Sequence, residues 1–287
     1  MSYTRILTGP KPKLAMPQGA TDTHIHFYDS RYAALPNTPT PPDASVADYA
    51  QVMDWLGIQR VVVVQPNAYG DDNRLTMDSV AQLNAMPGIQ ARAVAVVKPA
   101  VSDAELARLT EAGARGLRIM ALLGGTLGLD MAETMAARVA PFGWHLLLQL
   151  DGRDLHQHAA MIRRLPCKVV IDHIGKFLEP VPPEHEGFRA LLDLLAGGNV
   201  WVKLSAAYET SKTGAPHYED VSILARALVR AAPERMIWAS NFPHAQAAKF
   251  GYPDDAAMLD LLLDWAPNEA DRHKILVDNP SALYDFA

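Results

Sequence analysis

Short runs of β-branched and aliphatic residues alternate along the chain with stretches whose apolar residues recur every three or four positions. The first pattern predicts strands and the second amphipathic helices. The opening strand lies in residues 20–28, where Thr21, Thr23 and Ile25 favour extended backbone. A helix follows at 45–56, with Ser45 placed to cap it and Gly57 to end it. Strands are then predicted at 60–65, 91–97, 116–120, 145–150, 168–171, 199–204 and 235–239. Helices fall between them at 75–85, 103–112, 132–141, 155–164, 188–195 and 218–231, and 255–265 and 269–277 close the chain. Eight apolar strands alternating with helices predict an α/β fold, a parallel sheet closed into a (β/α)8 TIM-type barrel. An open doubly wound sheet is the alternative. It is disfavoured because no Gly-x-Gly-x-x-Gly follows the first strand.

Length changes the picture little: 287 residues suit one barrel, with residues 1–19 as a proline-rich extended arm. The proline-rich stretch 29–42 reads either as a lid over the end of the first strand or as a surface excursion. The pair Gly124-Gly125 reads as a turn. With 49% hydrophobic and 20% charged residues the chain is that of a soluble globular protein. A net charge of −6 without a basic cluster argues against nucleic acid or an anionic membrane as partner. Its longest apolar runs are strand-sized, and no secretory signal opens it, so a cytoplasmic location is expected. The single cysteine, Cys167, excludes an internal disulfide and reads as a buried thiol. Nothing in the sequence fixes an oligomeric state.

In such barrels the chemistry collects at the C-terminal ends of the strands. The first strand brings His24 and His26, two apart and so on one face. The second brings Gln65, Asn67 and Tyr69, followed by Asn73, and the fourth brings Arg118. The fifth brings Gln149, the sixth Asp172 and His173, the seventh Lys203 and Tyr208, and the eighth Asn241 and His244. Structural readings stand beside these. Arg118 pairs with a loop carboxylate, Lys203 pairs inside the barrel, Asp172 orients a histidine or caps a loop, and Asp71 and Asp72 form a solvated turn. His145 starts a strand, at the wrong end of the barrel, and His156, His158, His185, His217 and His273 fall on helices or loops.

The stretches Thr21-Asp22-Thr23-His24-Ile25-His26, Gly116-Leu117-Arg118-Ile119, Ile171-Asp172-His173 and Trp238-Ala239-Ser240-Asn241-Phe242-Pro243-His244 resemble the amidohydrolase superfamily. The resemblance is to the branch containing 2-pyrone-4,6-dicarboxylate lactonase, L-fuconolactonase-like enzymes and D-galactarolactone isomerase, and Leu122-Leu123-Gly124-Gly125, Tyr208-Glu209-Thr210-Ser211 and Tyr252-Pro253-Asp254-Asp255 look most like the last. It implies a small-molecule anionic lactone as substrate, with His24, His26, His173 and Asn241 catalytic. It also implies substrate contacts from Gln65, Asn67, Tyr69, Asn73, Arg118, Gln149, Lys203, Tyr208 and His244. Metal-dependent members of the superfamily carry a lysine or histidine on strand 4 or 5 and an aspartate after strand 8. Here those places hold Arg118, Gln149 and Asn241. The expectation is therefore no cofactor, with zinc or another divalent metal on His24, His26 and His173 as the alternative. Asparagine cannot act as the general base of hydrolysis, which favours a lactone isomerase over a lactonase and over a barrel that only binds a sugar acid.

Overall fold

The computed structural model describes residues 5–36, 38, 40–122 and 125–286. Gly124 of the expected glycine turn, and Leu123 beside it, lie outside them. Eight parallel strands pair in sequence order: β1 (Thr21–Ile25), β2 (Arg60–Val64), β3 (Gln90–Ala95), β4 (Ala114–Met120), β5 (His145–Gln149), β6 (Val169–Ile171), β7 (Val200–Leu204) and β8 (Met236–Trp238). The edges β1 and β8 meet through bonds that bypass the ladder. The Thr23 hydroxyl donates to Trp238 O (2.8 Å), Ser240 N donates to Asp22 Oδ1 (3.1 Å) and Asn241 N donates to His24 O (3.1 Å). Asp22 also accepts from the Tyr49 hydroxyl at 2.9 Å, and its burial pushes the carboxyl up to about 6. The sheet is thereby a nearly closed (β/α)8 barrel.

The helices are α1 (Val46–Leu56), α2 (Arg74–Asn84), α3 (Asp103–Glu111), α4 (Ala132–Val139), α5 (Leu155–Arg164), α6 (Glu186–Ala196), α7 (Glu219–Ala231), α8 (Ala247–Phe250), α9 (Asp255–Trp265), α10 (Glu269–His273) and α11 (Asn279–Tyr284). Ser45 caps α1 with a reciprocal bond from Asp48, and Gly57 ends it at φ 84°. The chain departs from the expected pattern mainly near its end. In place of one helix over 269–277, α10 passes through a π turn (Lys274–Asp278) into α11. Pro280 is tolerated there because the first turn of a helix needs no amide donor.

Both faces of the strands are buried, which is why the strand sequences are apolar without alternation. Val61 and Val63 pack outward under the helices, while Val62, Val64, Val94, Leu147, Val170 and Ile237 fill the lumen with Tyr284 and Phe286. Register then fixes where the charges go. Arg118 lies opposite Leu147 and Lys203 opposite Ile237, so both cations are carried into the lumen. The described residues of the 29–42 segment seat on the end of β2 through Asp29 and Leu35: the Leu35 amide donates to Ala68 O at 2.7 Å and Asp29 exchanges bonds with the Tyr69 hydroxyl.

Candidate active site

The strand-1 histidines form a chain of defined proton positions. His26 Nδ1 lies 2.7 Å from Val64 O, which can only accept, so Nδ1 carries the proton and Nε2 is bare. His24 Nε2 sits 3.1 Å from that bare nitrogen and therefore donates to it. His24 Nδ1 is left as an acceptor, and Lys203 Nζ donates to it at 2.9 Å; Asp172 Oδ1 lies 3.2 Å from the same nitrogen without the alignment of a hydrogen bond. The same ammonium stands 3.5 Å from Asp172 Oδ1, and both side chains are fully buried. Burial would push the Asp172 carboxyl up, but Lys203 beside it prevails and holds it below the usual range. Desolvation in turn brings Lys203 down to about 8.

Burial, with Arg118 next, lowers His26 to about 3; burial also lowers His24 and His173 far below the ordinary value and His145 to about 3. These imidazoles stay neutral because an imidazolium would lose its hydration. An NMR histidine titration should accordingly find the four rings unmoved between about pH 5 and 8, the range in which an ordinary imidazole titrates. A mid-range titration of His24 or His26 would contradict the proton assignment.

Arg118 donates through Nη1 to Gln65 O and through Nη2 to Gln149 Oε1, each at 2.9 Å, and so lies one carbonyl along from the bond made by His26. Its Nε is buried without a partner. Among the described residues no carboxylate lies within 4.0 Å of this guanidinium, although the side chain is buried. Gln149 orients the cation, and Asn67 turns its amide to the Met120 sulfur.

Four residues expected to touch substrate are hydrogen-bonded within the protein itself. Gln65 donates to Gly70 O and Asp72 O and accepts from the Thr76 hydroxyl, so its amide is saturated building the loop after β2. Asn73 exchanges bonds with the backbone of Val96, tying that loop to the end of β3. The Tyr69 hydroxyl is taken up by Asp29. Lys203 holds His24 and Asp172 below the mouth. His24 and His26 likewise have both ring nitrogens engaged within the protein.

The loops after β6, β7 and β8 supply the opposite wall. His173 Nδ1 bonds the Ser205 hydroxyl at 2.8 Å, leaving Nε2 open. Asn241 donates through Nδ2 to the Tyr208 hydroxyl (2.8 Å) and to Glu209 Oε1 (3.1 Å), and Glu209 is ion-paired with Lys176. The Tyr208 hydroxyl also meets His244 Nδ1 at 3.0 Å, and His244 Nε2 lies 3.0 Å from Asp255 Oδ1. His173, Lys176, Asn241 and His244 all hold left-handed backbone, at φ 51°, 49°, 68° and 60°. Each such residue costs on the order of 1–3 kcal/mol, and such strain gathers where side chains must be aimed at a ligand. Of possible metal ligands among the described residues, His24, Asp172 and His173 have donor atoms within 4.8 Å of one another. That set shares His24 and His173 with the expected trio and has Asp172 where the trio has His26.

A profile described as amidohydrolase matches residues 21–286, nearly all of the chain and every strand of the barrel. The chain belongs to the amidohydrolase family. A D-galactarolactone isomerase of Agrobacterium fabrum (strain C58) is 38% identical over 287 residues, covering 99% of this chain and 97% of that protein. A 2-pyrone-4,6-dicarboxylate hydrolase of Comamonas testosteroni is 35% identical, covering 96% and 92% respectively. The crystal structure of an Agrobacterium tumefaciens protein in its apo form matches with a TM-score of 0.92 at 38% identity, over 99% of both chains.

Within this amidohydrolase site, Glu209, Lys176 and Asp255 were not among the site residues that the sequence singled out. Lys176 and Glu209 come from different loops, and Asp255 reads locally as a first-turn acid of a closing helix. Its burial is the feature that sets it apart, and only packing reveals that.

Proposed function

We propose that the protein isomerises the lactone of a sugar diacid, moving the ring closure from one hydroxyl to another without net hydrolysis. The observation that carries this reading is Asn241, an amide held at the end of β8 by Tyr208 and Glu209 where a hydrolase needs a base. An amide neither takes a proton from water nor repels an anion, so it suits a reaction in which the attacking oxygen belongs to the substrate. Arg118, a buried cation without a counter-ion among the described residues, supplies a place for the carboxylate. The full-length likeness to D-galactarolactone isomerase supports the same class of substrate. His173 faces the lactone carbonyl in this reading, with Nε2 as its hydrogen-bond donor. Asn67, Gln149 and Tyr208 line the polar wall for hydroxyls. An NMR time course with carboxylated lactones should show one ring form turning into another with no open acid accumulating. Direct conversion to the open diacid would refute it.

Hydrolysis without a metal is the second reading, favoured by the open Nε2 of His173, which can activate a water.

The reading includes no bound metal. What supports this is Lys203, whose ammonium stands against His24 Nδ1 and Asp172 where a cation would have to bind, with Arg118 adding a second positive charge. The residues therefore do not fit a divalent ion. Protein treated with chelator should keep its activity and carry well under one zinc per chain by elemental analysis. Activity lost on chelation and restored by zinc or manganese would overturn the point.

A further inference from the structure

Asp255, His244 and Tyr208 line up as carboxylate, imidazole and hydroxyl. Asp255 Oδ1 lies 3.0 Å from His244 Nε2, and both side chains are almost fully buried. Neither atom has an aligned hydrogen-bond partner, so the carboxylate acts on the ring by its charge, and the Nε2–H tautomer with Nδ1 as acceptor is what a relay through this ring requires. In that tautomer the Tyr208 hydroxyl, 3.0 Å from Nδ1, donates to it, and it accepts from Asn241 Nδ2 at 2.8 Å. One lone pair of that oxygen is left over. Asp255 sits in the first turn of α9, behind the Asp254 cap, where the helix dipole favours a negative charge. The order is that of a nucleophile–histidine–acid triad, with a phenol in the hydroxyl position.

We propose that Tyr208 is the proton carrier for ring migration, working through His244 and Asp255. The proposal rests on the isomerase reading above. In the forward step, the free lone pair of Tyr208 takes the proton of the attacking substrate hydroxyl while the phenolic proton passes to His244 Nδ1. The imidazolium so formed is paired with Asp255. The substrate oxygen bonds to the lactone carbonyl carbon, giving a tetrahedral intermediate. When the old ring C–O bond breaks, its oxygen takes a proton from Tyr208, and His244 returns its own proton to the phenolate. Every proton that leaves the substrate comes back to it, and no water enters.

Burial holds the Tyr208 phenol well above its ordinary value, so it is not a standing phenolate. It serves only in a coupled transfer, where proton uptake and release coincide. Asn241 then acts by fixing, through its amide, the lone pair that is not used. An aspartate there would accept the phenolic proton and turn Tyr208 away from His244.

Two readouts test this. In ¹⁵N-labelled protein, His244 should be the Nε2–H tautomer, with Nδ1 bare, and Asp255→Asn should weaken that preference. Tyr208→Phe, which keeps the ring and removes only the oxygen, should lower kcat by about 10²-fold or more with KM changed only a few-fold, the usual scale for losing a positioned acid–base group. Wild type should show a solvent deuterium effect on kcat, and His244→Asn should lower kcat similarly and abolish that effect. An Nδ1–H tautomer at His244, or a folded Tyr208→Phe enzyme with wild-type kcat, overturns the relay. Should Tyr208→Phe fail to fold, the tautomer and the His244→Asn isotope effect decide the matter. Failure of the isomerase reading shows separately, as wild-type product carrying oxygen from solvent, and the tautomer measurement is independent of that result.

Discussion

Arg118→Ala is expected to lower kcat/KM for a carboxylated lactone by roughly 10²-fold or more, while a neutral lactone of the same ring loses much less. The guanidinium is already dehydrated, is held by two neutral acceptors, Gln65 O and Gln149 Oε1, and keeps an unpartnered Nε. A substrate carboxylate therefore meets a cation whose desolvation was met on folding. Removing one partner of such a pair costs roughly 2–5 kcal/mol, much of it from the anion left without a counter-charge. Truncation also frees Gln149, so Arg118→Lys is the useful control: it keeps the charge and loses the planar fork. Steady-state kinetics on the two lactones decides the matter. Equal losses on both would mean that Arg118 merely ties β4 to the ends of β2 and β5.

The largest effect on stability is expected from Lys203→Met. The replacement keeps most of the volume but leaves Asp172 buried in the lumen without its nearest counter-charge. Breaking a buried pair from one side costs about 3–5 kcal/mol, which in a chain of this size lowers Tm on the order of 10 °C. Asp172→Asn with Lys203→Met should recover much of the loss, since the doubly neutral pair strands no charge. His24 would then lack a donor at Nδ1, so activity should not recover with stability. Calorimetry of the single and double variants tests this. Additive destabilisation would show that the two groups do not compensate each other.

The strand pattern and the two-residue spacing of His24 and His26 were legible because both depend on local periodicity. The rings do meet, Nε2 to Nε2 at 3.1 Å. That Arg118 and Lys203 stand on neighbouring parts of one closed sheet was also legible, since strand ends in a barrel converge. What the side chains do there was not. Gln65 reads as a polar strand-end residue, but its amide is consumed by Gly70, Asp72 and Thr76, a loop geometry that no spacing encodes. Lys203 could pair inside or face a ligand, and only the placement of Asp172 at the end of the neighbouring strand chooses between them. Asp255 lies more than ten residues beyond Asn241, and its approach to His244 depends on how α9 docks. Interactions set by strand period could be read from the sequence, and those set by loop docking could not.

Asn241 is central to the proposed chemistry, as the mark of a reaction in which substrate, and not water, attacks the lactone. The most direct measurement is product analysis of wild type and Asn241→Asp in water enriched in heavy oxygen. Hydrolysis must place the label in the product carboxyl, whereas ring migration need not. Unlabelled isomer from wild type and a slower Asn241→Asp enzyme are expected, because a carboxylate at that position repels the bound anion and disturbs Tyr208. Labelled product from wild type, together with faster ring opening by Asn241→Asp, would contradict the isomerase assignment.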